Sequence, residues 1–259
     1  MMDYQTLIFD VADGLAVVTL NRPEQMNALT TQMRAEIEHA FTQGAKLARC
    51  VVVTGAGSAF CSGQDLGDSG SAGAMNLERT LRDEYAPMLR AIVNCPVPTI
   101  AAVNGAAAGA GANLALATDV VIASEKAYFL QAFARIGLIP DAGGTYMLPR
   151  QMGAAKAMGA ALFADKISAR KADEWGMIWE AVPDDTFATH WRDRAMHLAM
   201  GPTAAYAATK HAIRASWGNS LEDQLTLEAR EQGKSGQTRD FKEGVMAFMQ
   251  KRPARFEGR

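Results

Sequence analysis

Metal-binding side chains are scarce in this sequence. It has 4 histidines and 3 cysteines, and His39, His190, His197 and His211 all fall in helical patterns with no ligand spacing among them. They read as surface or packing residues, and no metal site is expected. Cys50, Cys61 and Cys95 form neither an even disulfide set nor a metal motif, so they read as reduced structural thiols. An excess of one charge is missing too. With 26 Lys+Arg against 28 Asp+Glu, the formal net charge is -2 and no basic run stands out, which argues against nucleic acid or an anionic membrane as partner. No apolar span reaches transmembrane length. The amino-terminal stretch MMDYQTLIFD lacks the basic-then-apolar layout of a signal peptide, so the expectation is a soluble, cytoplasmic protein. No internal repeat or low-complexity linker interrupts the chain. What it does have is 49% hydrophobic residues over 259 positions, ample for one large α/β core or two small ones.

Two β-type runs open the chain, Thr6 to Phe9 and Leu15 to Leu20, on either side of the hairpin dipeptide Asp13-Gly14. Thr30 or Thr31 suits the cap of a helix with Met33, Ile37 and Phe41 at helical spacing. Cys50 to Val53 reads as a strand buried on both faces. A helix from about Asn76 to Val93 follows, then strands at Thr99 to Val103, Val120 to Ala123 and Tyr128 to Gln131. This alternation predicts a parallel sheet flanked by helices. From Met152 onward the pattern is helical almost throughout: Ala154 to Phe163, Ser168 to Glu174, Thr186 to Met200, Thr203 to Ser216, Leu221 to Gln232 and Phe241 to Lys251. Ser168 suits a cap and Gly176 a stop. The expected division is an α/β core over 1–200 and a helical region over 201–259 whose apolar faces suggest burial against partner subunits.

Three loops look chemical. Asn104 to Asp119 reads as a strand end, a tight turn and a helix start, with small residues that let another molecule approach the main chain. N–H groups near Ala110 would then lie at the positive end of a helix, where developing negative charge is stabilised. Close packing of a helix on a sheet would use the same residues. Ala59 to Leu66 follows a strand, where α/β proteins bind ligands. In Gly137 to Thr145, Asp141 sits between a proline that fixes the backbone and two glycines that free it.

Four ordered motifs carry a resemblance over essentially the whole chain: Leu20-Asn21-Arg22-Pro23 with Asn27-Ala28-Leu29, Phe60 to Leu66, Val103-Asn104-Gly105 with Gly109-Ala110-Gly111, and Ile139 to Gly144. The sequence resembles the enoyl-CoA hydratase/isomerase, or crotonase, superfamily. That resemblance implies a spiral of ββα units with a carboxy-terminal helical trimerisation region, a homotrimer or dimer of trimers, and an acyl-CoA substrate. Coenzyme A would be part of the substrate, with no separate cofactor. It also implies that the backbone N–H groups of Gln64 and Ala110, beside Gly109, hold the thioester oxygen. Met26 and Ala28 would contact CoA through backbone atoms, and Ser62, Leu66, Phe133 and Ile136 would line the acyl pocket. Asp65 would fix its loop beside the substrate, the loop from Gly67 to Asn76 would set acyl specificity, and Phe256 would approach a neighbour's CoA site.

The departures from the family pattern are informative. Where the hydratases carry two glutamates, this sequence has Asn113 and Phe133; neither is a general base, although Asn113 can orient a polar group. Asp141 is the remaining ionisable candidate, in a place where several family isomerases carry an aspartate. An aspartate beside two glycines also suits a helix cap or an Asx turn, but loss of both glutamates weighs toward catalysis, with partial burial raising its pKa into a useful range. Among family branches the sequence is most similar to the ring 1,2-epoxyphenylacetyl-CoA isomerases. The expectation is a double-bond shift through an enolate, against two rivals: an aspartate nucleophile in a hydrolase or dehalogenase, and a silent acyl-CoA-binding subunit.

Overall fold

The structure, a computed structural model, describes residues 3–68 and 76–259. Most of the Gly67–Asn76 loop, on which acyl specificity was expected to rest, therefore lies outside the described residues. Strands β1 (Leu7–Ala12) and β2 (Leu15–Leu20) pair antiparallel. Asp13 and Gly14 between them take φ of 53° and 77°, the left-handed pair that a two-residue hairpin turn requires. Helix α1 (Thr31–Leu47) is capped by Thr30, whose hydroxyl accepts from the Met33 N–H, and it buries Met33, Ile37 and Phe41.

Three ββα passages follow. The first is β3 (Cys50–Gly55), β4 (Ala59–Cys61) and a helical stretch of α2 (Leu77–Thr80), a π turn (Leu81–Tyr85) and α3 (Ala86–Val93), capped at Asn76. The second is β5 (Thr99–Val103), β6 (Ala106–Ala108) and α4 (Ala110–Leu116). The third is β7 (Val120–Ser124), β8 (Tyr128–Leu130), a 3-10 turn (Ala132–Ile136) and α5 (Gly144–Phe163). Each passage places its first strand in a six-stranded sheet of order β1-β2-β3-β5-β7-β10 and its second in a four-stranded sheet of order β4-β6-β8-β9. The large sheet is parallel beyond the hairpin. β9 (Ile167–Ser168), α6 (Ala169–Glu174), β10 (Glu180–Val182), α7 (Asp184–Ala199), α8 (Thr203–Ala215), α9 (Leu221–Ser235) and α10 (Arg239–Met249) complete the chain.

β3 shows why its sequence is continuously apolar. Val51 and Val53 enter one core with Phe41, Phe60 and Phe129, while Cys50 and Val52 enter a second, closed by Phe187 and Trp191 of α7. The structure corrects the sequence reading in three places. The Asn104–Asp119 stretch contains a strand, β6, and not only a turn. α5 starts at Gly144, ten residues before the expected Ala154, and is broken at Gly153 with φ 78°. β9 and β10 interrupt the region read as helical; β10 exists by pairing with β7. Among the described residues no helix is long and apolar enough to cross a membrane.

Candidate active site

The first motif is a brace. Asn27 is buried; its Oδ1 accepts from the Arg22 N–H at 2.9 Å, and its Nδ2 donates to Ala56 O and Ala59 O, each at 2.9 Å. Arg22 donates to Ala28 O and pairs with Asp65 at 2.9 Å. Asp65 also accepts from the Gly67 N–H at 2.9 Å. Burial alone would raise the Asp65 pKa, but these bonds outweigh it and hold the carboxylate below its ordinary value. Asp65 thus ties down its own loop, as expected.

The brace aims the first donor. Leu29 N–H donates to Gly63 O at 2.7 Å, and Asp65 N–H donates to Leu29 O at 3.1 Å. Pairing through residues 63 and 65 turns the intervening Gln64 N–H to the other side, where it meets no acceptor among the described residues. The second donor comes from the turn between β6 and α4. Gly109 takes φ 52° and ψ -128°, and the Ala110 N–H, first in α4, has no partner in the helix and none elsewhere among the described residues. The two segments abut. A Cβ on Gly63, itself at φ 99°, would stand 2.8 Å from Ala108 O and 3.4 Å from Ala110 N. Glycine there supplies both the left-handed backbone and the space. Two adjacent, unspent N–H groups are the geometry that stabilises an oxyanion.

Asp141 is tied to α4, the helix that begins at Ala110. Its backbone O accepts from Asn113 Nδ2 at 2.7 Å and from the Gly144 N–H at 2.8 Å. Its carboxylate caps nothing: α5 has no side-chain cap, and Oδ1 is buried without a hydrogen-bond partner among the described residues. The helix-cap and Asx-turn readings therefore fail. Burial pushes the Asp141 pKa up to about 6, opposed by its own backbone N–H. Asn113 is buried with both ends of its amide engaged, Nδ2 on Asp141 and Oδ1 accepting from Gln131 Nε2 at 2.9 Å. It holds the Asp141 backbone oxygen in place.

The other expected lining residues differ in burial. Phe133 is buried, and its ring lies 3.8 Å from where a Cβ on Gly109 would be, so an apolar wall adjoins the Ala110 donor. Leu66 and Ile136 are exposed. Ser62 is half-buried and donates its N–H to Met26 O at 3.0 Å. The Met26 side chain is exposed and Ala28 is buried. Sequence reasoning missed Arg34, Tyr85 and Gln131. Arg34 did carry a signal: a charged residue at i, i+3, i+7 spacing with Ile37 and Phe41 on the buried face of α1. His39, His190 and His211 pair with Tyr4, Glu180 and Glu231. Among the described residues no group of three or more His, Cys, Asp or Glu is placed to hold a metal ion. A cavity of about 1020 Å³ opens among α8, α9 and α10, lined by Leu225, Phe241, Val245, Phe248 and Phe256, and none of Gln64, Ala110 and Asp141 lines it.

Known proteins place this arrangement. The model of the enoyl-CoA hydratase/isomerase family matches residues 10–259. A Rhodobacter capsulatus protein named probable enoyl-CoA hydratase is 61% identical over 100% of both chains. The 1,2-epoxyphenylacetyl-CoA isomerase of Escherichia coli is 43% identical, again over 100% of both. The crystal structure of a Bacillus anthracis enoyl-CoA hydratase superposes with a TM-score of 0.91 at 32% identity, covering 98% of this chain and 100% of that one. With the motif residues gathered at one centre and a match over nearly its whole length, the chain belongs to the enoyl-CoA hydratase/isomerase family of the crotonase superfamily.

Proposed function

We propose that the protein is an acyl-CoA isomerase that shifts a double bond by removing and returning a proton. The observation that carries this reading is the pairing of two unspent N–H groups with a single carboxylate, Asp141, whose Oδ1 is buried and unbonded. The N–H groups of Gln64 and Ala110 stabilise negative charge on the thioester oxygen, which makes the α-proton removable. Asp141 takes that proton and returns it farther along the conjugated system; a pKa near neutrality suits both halves of the task. The substrate we favour is ring 1,2-epoxyphenylacetyl-CoA, opened to its oxepin form with a double bond brought into conjugation, and 3-enoyl-CoA to 2-enoyl-CoA conversion uses the same steps. The 43% identity to a 1,2-epoxyphenylacetyl-CoA isomerase supports that choice. CoA is then part of the substrate, with no further cofactor. The exposed Phe241, Met246, Phe248 and Met249 of α10 support assembly with copies of this chain, as a trimer or a pair of trimers.

Hydration is the second reading, favoured by the name of the 61% relative. Against it, Asn113 is committed to Asp141 and Gln131, and Phe133 offers no base. Incubation of a 3-enoyl-CoA and, separately, of the conjugated 2-enoyl-CoA with the protein in ¹⁸O-labelled heavy water separates the two. Isomerisation converts the 3-enoyl-CoA to conjugated thioester carrying no ¹⁸O, with deuterium entering only where the proton on Asp141 exchanges with solvent before it is returned. A product carrying ¹⁸O in a new hydroxyl would replace the isomerase reading with hydration.

A further inference from the structure

Gln64 offers its backbone N–H to the substrate, yet its side chain is held on two sides. Oε1 accepts from Arg34 Nη1 at 3.0 Å and from the Tyr85 hydroxyl. The same Nη1 donates to Leu29 O at 2.8 Å, the carbonyl that also receives the Asp65 N–H. Arg34 is therefore bonded to both the side chain of residue 64 and the strand that sets the direction of its N–H. The rest of the guanidinium is engaged as well. Nη2 donates to Thr31 Oγ1 at 3.0 Å, Nε donates to Glu84 at 3.1 Å, Nη2 also pairs with Glu84, and Cζ lies 4.8 Å from the centroid of the Tyr85 ring. Glu84 and Tyr85 are consecutive residues of the Leu81–Tyr85 π turn, a distortion that recurs at functional sites. A charge buried to 2% exposure is a weak device for stability, because an apolar replacement of similar shape commonly does as well. This one converges on the oxyanion donor.

We propose that Arg34 and Tyr85 are positioning residues for catalysis: by clamping Gln64 Oε1 and Leu29 O they keep the Gln64 N–H aligned with that of Ala110. The inference rests on the oxyanion role of these N–H groups given above. It differs from a plain structural role because the handle is a side chain whose own backbone N–H does the chemistry.

The test uses a 2,4-dienoyl-CoA as a bound probe, whose absorbance shifts to the red when its thioester carbonyl is polarised by hydrogen bonds. Tyr85→Phe keeps the ring over Arg34 and removes one bond to Oε1. It should lower kcat about 5-fold, the equivalent of one net hydrogen bond, leave KM and the pH profile unchanged, and shrink the red shift of the bound probe. Arg34→Lys cannot span Leu29 O and Gln64 Oε1 together and should lower kcat further. Gln64→Leu removes the handle, so adding Tyr85→Phe to it should cause no additional loss. A Tyr85→Phe protein with the wild-type red shift, or losses that multiply with Gln64→Leu, overturns the clamp. Wild-type protein that binds the probe without any red shift overturns the oxyanion reading itself.

Discussion

Replacing Asp141 by asparagine should slow the enzyme and stabilise the fold together. The Asp141 pKa is pushed from an ordinary 3.8 to about 6 by burial. A carboxyl raised in the native state binds its proton more tightly there than in the unfolded chain. Relative stability is therefore fully present below the unfolded value and is lost as pH rises through about 6. At 1.36 kcal/mol per unit the shift corresponds to about 3 kcal/mol above pH 7, and partial exposure reduces that to about 2 kcal/mol. Asparagine has the same shape and no charge to desolvate, and the buried Oδ1 of Asp141 has no hydrogen-bond partner to lose. Asp141→Asn should then melt about 4–8 °C higher than wild type at pH 8, with the difference vanishing near pH 4. Over the same interval kcat/KM of the wild type should rise with pH and level off above about 6. Turnover by Asp141→Asn, followed by the absorbance of conjugated thioester formed from 3-enoyl-CoA, should fall by about 10²- to 10⁴-fold at every pH. A variant of normal activity, or one melting below wild type at pH 8, would refute the assignment of a desolvated catalytic base.

Gly63→Ala forces a Cβ to 2.8 Å from Ala108 O at a backbone φ of 99° and should cost roughly 10²- to 10³-fold in kcat, the weight of one oxyanion donor, as read in the same absorbance assay. Gly144→Ala puts a Cβ 2.4 Å from Asn113 Nδ2, displacing the amide from Asp141 O; kcat should drop roughly 10- to 100-fold with an unchanged circular dichroism spectrum. Asp65→Asn should behave unlike Asp141→Asn. Asp65 is held below its ordinary pKa, so it contributes stability above its unfolded pKa that is lost as pH falls through the folded value. Urea titration at pH 7 should show Asp65→Asn less stable by about 1 kcal/mol, the gap closing in acid, with turnover largely kept.

The pieces legible in the sequence were those whose cause is local. The Asp13-Gly14 hairpin, the Thr30 and Ser168 caps, the stop at Gly176 and the two-faced apolar run of β3 all follow from neighbours a few residues apart. The four motifs were legible as well, and with them the candidate donors at Gln64 and Ala110 and the carboxylate of Asp141. Contacts between distant segments left no such trace. β6 is three alanines that become a strand only because β4 and β8 flank them, and β10 is three residues that pair with β7. Asn113 looked available until Asp141 and Gln131 claimed both ends of its amide across separations of 28 and 18 residues. Arg34 and Tyr85 reach Gln64 from 30 and 21 residues away, and no spacing rule connects positions that far apart. The pKa of Asp141 depends on what surrounds it, and burial exists only once the chain has closed around the group. Local sequence determined which residues could do the chemistry; tertiary packing decided which of them keep an unspent donor or an unsolvated charge to do it with.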